Sequence, residues 1–230
     1  MHALHDGARA AEVAGLLGAR LGSLISLDLP VAPGFVIGTA AWQLARLLGE
    51  GWELLPTVAE EVRNALGELD GDLLTVRAAP ALPGAAASPP WATPAERLEA
   101  VLESIARHAA VPTAVIVQAH AEGLPPSGHG RAFTRDPLRG TVWPVGEFRS
   151  GRCVMTLDGL SRWTPAAGLQ LRAALSRVES LQRGVSEVSF TLEAGRLWID
   201  DARPARHSRV AAERIADAGL TPAPAACPGS

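Results

Sequence analysis

The side chains of this sequence that could do chemistry are an unusual selection. All 21 basic residues are arginine. Without lysine there is no ammonium point charge for a phosphate, no Schiff-base nitrogen and no amine general base. Cationic work falls to guanidinium groups, whose planar fork suits carboxylates and phosphates. Arg77 closes the apolar run Leu73–Val76 and on position alone reads as a strand-end arginine in a surface ion pair. Glu187, Asp200 and Asp201 lie on either side of a hairpin signal. On the residues alone they are solvated hairpin acids, since surface acids rarely bind metals. Ser127, His108 and His129 are the residue types of a hydrolase, but no G-x-S-x-G elbow surrounds Ser127.

The elements that must position these residues belong to a globular chain. Of 230 residues, 47% are hydrophobic and 20% charged, enough to build a sizeable core. A net charge of −3 gives no electrostatic reason to bind nucleic acid or an anionic membrane. No secretory pattern follows Met1, and no apolar run reaches the roughly 18 residues that span a bilayer. The expectation is a cytoplasmic protein. Cys153 and Cys227 are not expected to pair, because Cys227 lies in a Pro/Ala/Gly tail with no secretory context.

Residues 8–27 read as a helix interrupted by glycine, followed by a turn over 28–34 and a strand over 35–37. Thr39 is a candidate cap for a helix over 40–48, and apolar spacing predicts another over 57–69. A strand over 73–76 precedes an Ala/Pro/Gly-rich loop over 78–94. Thr93, Pro94 and Glu96 then form a capping-box signature for a helix to His108. Strands are predicted over 113–120, 131–134, 141–145 and 153–157, and a long helix over 163–182. Residues 187–192 and 196–199 flank Glu193-Ala194-Gly195 as a hairpin. A short helix over 209–218 and a disordered tail complete the chain. Without regular βαβ alternation, the pattern points to an α+β protein with antiparallel sheets.

Four segments resemble the N-terminal domain of the pyruvate phosphate dikinase and phosphoenolpyruvate synthase family. They are Leu29-Pro30-Val31-Ala32-Pro33-Gly34-Phe35; Val76-Arg77 with Leu82-Pro83-Gly84; Ser127 through Pro137 with Gly146-Glu147-Phe148; and Glu187-Val188-Ser189-Phe190-Thr191 with Leu197-Trp198 and Arg203. The resemblance implies an ATP-grasp-like fold, two α+β lobes with mostly antiparallel sheets around a nucleotide cleft. It divides the chain into an N-terminal lobe (1–110), a C-terminal lobe (111–218) and a disordered tail (219–230).

The same resemblance implies the site. Arg20, Arg77 and Arg203 would contact phosphates, and Gln118, Ala119 and His120 would lie beside the base, with Glu187 also on the nucleotide side. Glu187 and Asp201 would hold Mg²⁺. The family's phosphate lysine has no lysine counterpart here, Arg152 stands where it has an acid, and Ser189 replaces a second one. The implied function is an ATP-binding domain with weakened or lost catalysis, a pseudo-enzyme or partner subunit. The alternative is an active ATP-dependent phosphotransferase half that passes phosphate to a small acceptor or to a histidine on a separate, phosphohistidine-type protein.

Overall fold

The structure is a computed structural model and describes residues 2–4, 11–48, 56–69, 73–82, 87–88, 91–119, 127–137 and 142–205. The chain divides into two compact units: Met1–Asp28 with Ala32–Glu122, and Leu29–Val31 with Gly123–Ser230.

The first unit is built on a five-stranded antiparallel sheet ordered β1-β2-β5-β3-β4. Its strands are β1 (His2–Ala3), β2 (Gly34–Ile37), β3 (Leu73–Pro80), β4 (Trp91–Pro94) and β5 (Thr113–Ala119). The central strand β5 is buried along both faces, which is why Thr113–Gln118 reads as a continuous apolar run rather than an alternation. On one face Phe35, Ile37, Leu74, Val76, Val115 and Val117 pack against two helices. These contribute Val62 of α3 (Pro56–Gly67) and Leu98, Leu102 and Ile105 of α4 (Leu98–His108). Each fully buried residue of this kind stabilises the fold by about 1.5–3 kcal/mol relative to exposure. On the other face lies α1 (Ala11–Ile25), with Leu17, Leu21 and Leu24 buried. The expected glycine interruption of this helix is Gly15, at φ 66°, where a Cβ would overlap the Ala79 carbonyl. The helix α2 (Thr39–Leu48) follows β2, and its Thr39 hydroxyl donates to the carbonyl of Glu12 on α1.

The capping-box expectation fails for a packing reason. Trp91–Pro94 is a strand whose Thr93 is buried opposite Leu74, so its hydroxyl is not at a helix terminus. A 3-10 turn over Ala95–Arg97 leads into α4 instead. The loop expected from residue 78 also begins later, because Ala78–Pro80 continue the ladder with β5. That pairing makes β5 the centre of the first sheet, and the division between units falls after it rather than at the expected residue 110.

The second unit is a five-stranded antiparallel sheet ordered β10-β9-β6-β7-β8. Its strands are β6 (Gly128–Phe133), β7 (Val145–Ser150), β8 (Cys153–Thr156), β9 (Ser186–Glu193) and β10 (Arg196–Pro204). The helix expected over 163–182 forms as α6 (Pro165–Gln182), opened by Pro165, and a helix the sequence did not announce, α5 (Leu157–Trp163), precedes it with Thr164 between them. The expected hairpin forms, with Ala194 and Gly195 at φ 48° and 80°, the signature of a two-residue turn. Cys153 is disulfide-bonded, against expectation; Cys227, the helix expected over 209–218 and the tail lie outside the described residues. No helix among the described residues is long and apolar enough to cross a membrane.

Candidate functional site

The second sheet has one apolar and one polar face, and the alternation of its strands creates both. On the apolar side Phe148 stacks on Phe190 at 6.0 Å between centroids, with Trp163 tilted against Phe148 at 5.9 Å. Gly130 makes room for this packing: a Cβ there would overlap the Phe190 ring. The intervening residues of the same strands point the other way. They form cross-strand rows of Arg149, His129, Thr191 and Trp198; of Glu147, Arg131, Ser189 and Asp201; and of Val145, buried Phe133, Glu187 and Arg203, where the face turns apolar beyond Glu187.

Glu187 is the centre of the polar face. It is 1% exposed, and its carboxylate accepts from arginines of both neighbouring strands. Arg131 of β6 approaches Oε1 through Nε at 2.9 Å. Arg203 of β10 donates through Nε to Oε2 at 3.2 Å and through Nη2 to both oxygens at 3.1–3.2 Å. A buried carboxylate must be paired to stay charged, and two guanidinium groups do this here. The arginine side chains are themselves 46% and 48% exposed, so this charge centre opens outward.

A bulge between Ile199 and Asp201 adds the opposite charge. Asp201 stands opposite Ser189, while the extra residue, Asp200, accepts the Thr191 hydroxyl at 2.7 Å. Ser189 and Thr191 share the polar face, so consecutive aspartates do too, which a regular strand forbids. Farther along, the Arg196 guanidinium carbon sits 4.1 Å from the Trp198 ring centroid.

Of the residues singled out in the sequence, the structure brings Glu187, Asp201 and Arg203 to this one face. Arg20, on α1, and Arg77, Gln118 and Ala119 belong to the first unit, with Arg77 and Gln118 on the α1 side of its sheet. Gln118 is buried and donates Nε2 to the Ala32 carbonyl at 3.0 Å, and the Ala119 amide donates to Pro33 at 3.0 Å. Both hold the proline-rich turn in place. His120 lies outside the described residues. Ser127 is structural as well: its carbonyl accepts from Ser150 at 2.6 Å and its hydroxyl from the Ala194 amide at 3.5 Å. Arg131 and Asp200 were missed as site residues. For Arg131 the alternation His129-Gly130-Arg131-Ala132 was the available signal; for Asp200 there was none, because a bulge is not written in the pattern.

Of the nucleotide and Mg²⁺ expected from the sequence, the polar face fits the ion only in part. Glu187 does not suit it, since guanidinium groups occupy both of its oxygens. Asp201, with Asp200 beside it, does suit an ion that keeps most of its waters and takes one or two carboxylates plus phosphates. Among the described residues no three of His, Cys, Asp and Glu gather as a cage that would hold a metal alone.

No family model matches the chain, and no curated protein matches it in sequence. Solved structures do match in fold. Cdc123 from Schizosaccharomyces pombe superposes with a TM-score of 0.53 at 13% identity, covering 89% of this chain and 92% of Cdc123. D-alanine–D-alanine ligase from Bacillus anthracis, complexed with ATP, gives 0.50 at 10% identity, covering 88% of this chain but 58% of the ligase. The fold is ATP-grasp-like and α+β. The resemblance to the pyruvate phosphate dikinase family is overturned, because the matching structures are other ATP-grasp proteins. The segments that suggested it serve the framework. In Phe133-Thr134-Arg135-Asp136-Pro137, Phe133 is buried, Thr134 exchanges hydrogen bonds with Ser186, and Arg135 pairs with Glu179 of α6. Such contacts are demanded by the fold and carry no information about a phosphate acceptor.

Proposed function

We propose that this chain binds ATP, with the polyphosphate on the polar face of the second sheet, and that its own phosphoryl transfer is weak or absent. The observation that carries the reading is the convergence of half-exposed Arg131 and Arg203 on buried Glu187, beside the aspartates of the bulge. Arginine forks recognise phosphate oxygens, and Asp201 is the residue that would hold Mg²⁺ with them. The ion would neutralise phosphate charge when bound; the residues of this chain bind and orient. Weak transfer is supported by the absence of any lysine from the sequence and by the engagement of Glu187 with arginines. Transition-state charge then has fewer dedicated partners.

Calorimetry with ATP, ADP and AMP, each with and without Mg²⁺, tests binding. Heat with ATP that falls off toward AMP is expected, and silence with all three would remove the nucleotide from the reading. A second reading, an ATP-consuming enzyme, draws on Asp200 and Asp201 sharing one face. Labelled ATP incubated with a broad panel of acceptors separates the two, since turnover above the uncatalysed rate favours the enzyme.

A further inference from the structure

We propose that Arg131 and Arg203, held by buried Glu187, form a fork that engages the phosphates of a polyphosphate without a metal ion between them. The inference rests on the reading of this face as a nucleotide site and specifies what meets the phosphate charge there.

One guanidinium would neutralise Glu187. Two leave the trio with a net positive charge at the surface of the sheet. Each guanidinium carries five N–H donors, and Arg131 contacts Glu187 through Nε while Arg203 uses Nε and Nη2. Donors therefore remain on both half-exposed groups. Glu187 sits between them on the middle strand of the three and fixes each along one edge. The rotamer freedom of two long side chains is thus already restricted before a ligand arrives, which favours binding. Glu187 is then a positioning residue rather than a metal ligand. Asp200 and Asp201 share the face and oppose a bare polyphosphate, as does Glu147, which stands opposite Arg131 and pairs with Arg149. The fork is therefore the part of the sheet nearest Glu187 that attracts the anion when no ion is present. A lysine at either position would supply charge without the planar fork.

The test is calorimetric titration of inorganic tripolyphosphate and of ATP, both in EDTA at fixed ionic strength. It uses the full chain, Arg131→Gln, Arg203→Gln, Arg131→Lys and Glu187→Gln, with thermal unfolding as a check on folding. Tripolyphosphate is expected to bind the unaltered chain, and each glutamine variant of an arginine to weaken it roughly tenfold, the size of a lost charge-assisted contact. Arg131→Lys keeps the charge and the pairing with Glu187, so it stands in where a glutamine variant fails to fold, and it is expected to weaken binding about threefold or more. Glu187→Gln separates positioning from charge. Removing a negative charge alone would tighten anion binding, whereas releasing the guanidinium groups loosens it, and loosening is expected. No tripolyphosphate binding in EDTA, equal binding by the arginine variants, or tighter binding by Glu187→Gln would overturn the fork. Tripolyphosphate bound as tightly as ATP would leave the fork standing and count against the nucleotide.

Discussion

The Thr191 hydroxyl donates to Asp200 at 2.7 Å, and this bond fixes the bulged residue of β10 on the same face as Asp201. With the bulge, consecutive carboxylates face one way, on the face where the proposed Mg²⁺ would sit beside the arginines. Replacing Asp201 by Asn is expected to remove most of the gain in ATP affinity that Mg²⁺ provides, roughly tenfold, while leaving affinity in EDTA unchanged or higher. Thr191→Val, which removes this bond to Asp200, is expected to act in the same direction and less. Paired titrations with Mg²⁺ and with EDTA check this, and an Asp201→Asn variant with undiminished Mg²⁺ dependence would move the ion elsewhere.

Glu187 and its arginines also bear on stability. Glu187→Ala leaves guanidinium groups packed around a buried apolar gap and is expected to cost about 2 kcal/mol, below the roughly 3–5 kcal/mol for breaking a fully buried pair because both arginines reach solvent. A double-mutant cycle with Arg203→Ala is expected to show a coupling of about 1 kcal/mol or more. Urea unfolding of the four proteins measures it. Strict additivity would mean the pair contributes nothing.

The fold class, the hairpin and the break at Gly15 were legible because each is a local signal: alternation, a turn dipeptide, a glycine inside helical spacing. What the sequence hid depends on partners distant in the chain. Trp91–Pro94 carries a helix-start signature, yet the unpaired edge of β3 recruits it as a strand. Glu187 has the chemistry of a metal ligand, and only the register of three strands shows that Arg131 and Arg203 flank it. The family resemblance failed in a related way. Its most specific segment holds strand ends and a helix together, so it reports the architecture and does not identify the family.

The strand at Thr93 gives a sharp contrast. A helix N-cap threonine loses about 1 kcal/mol on substitution by a residue without a hydroxyl. Here Thr93 is buried in a β-ladder, and its hydroxyl reaches only the next carbonyl, at 3.4 Å. Thr93→Val keeps the shape and the β-branching, so a change within about 0.5 kcal/mol is expected from chemical denaturation. A loss of a full capping contribution would restore the helix reading.

Gly130 tests the apolar face. An alanine there would push into the ring of Phe190, a fully buried side chain that also stacks on Phe148. Neither ring can withdraw without opening the core, so Gly130→Ala is expected to destabilise by about 2–3 kcal/mol. Loss of near-ultraviolet aromatic signal at lower denaturant than in the unaltered chain is the readout. Indifference to the substitution would mean the two phenylalanines are packed more loosely than their stacking indicates.

The last prediction runs toward higher stability. Ala194 occupies φ 48° in the two-residue turn between β9 and β10, a conformation that costs an L-residue with a Cβ about 1 kcal/mol. Asparagine tolerates it better, and Asn-Gly is the preferred pair for this turn. Ala194 is exposed, so the new side chain meets solvent, and Gly195 already supplies the second positive φ. Ala194→Asn is therefore expected to raise the unfolding free energy by about 0.5 kcal/mol. Because the turn lies at the far end of β9 and β10 from the Glu187–Arg203 row, tripolyphosphate affinity should not move. A stability gain accompanied by altered affinity would show that the hairpin register, and with it the arginine fork, responds to its turn.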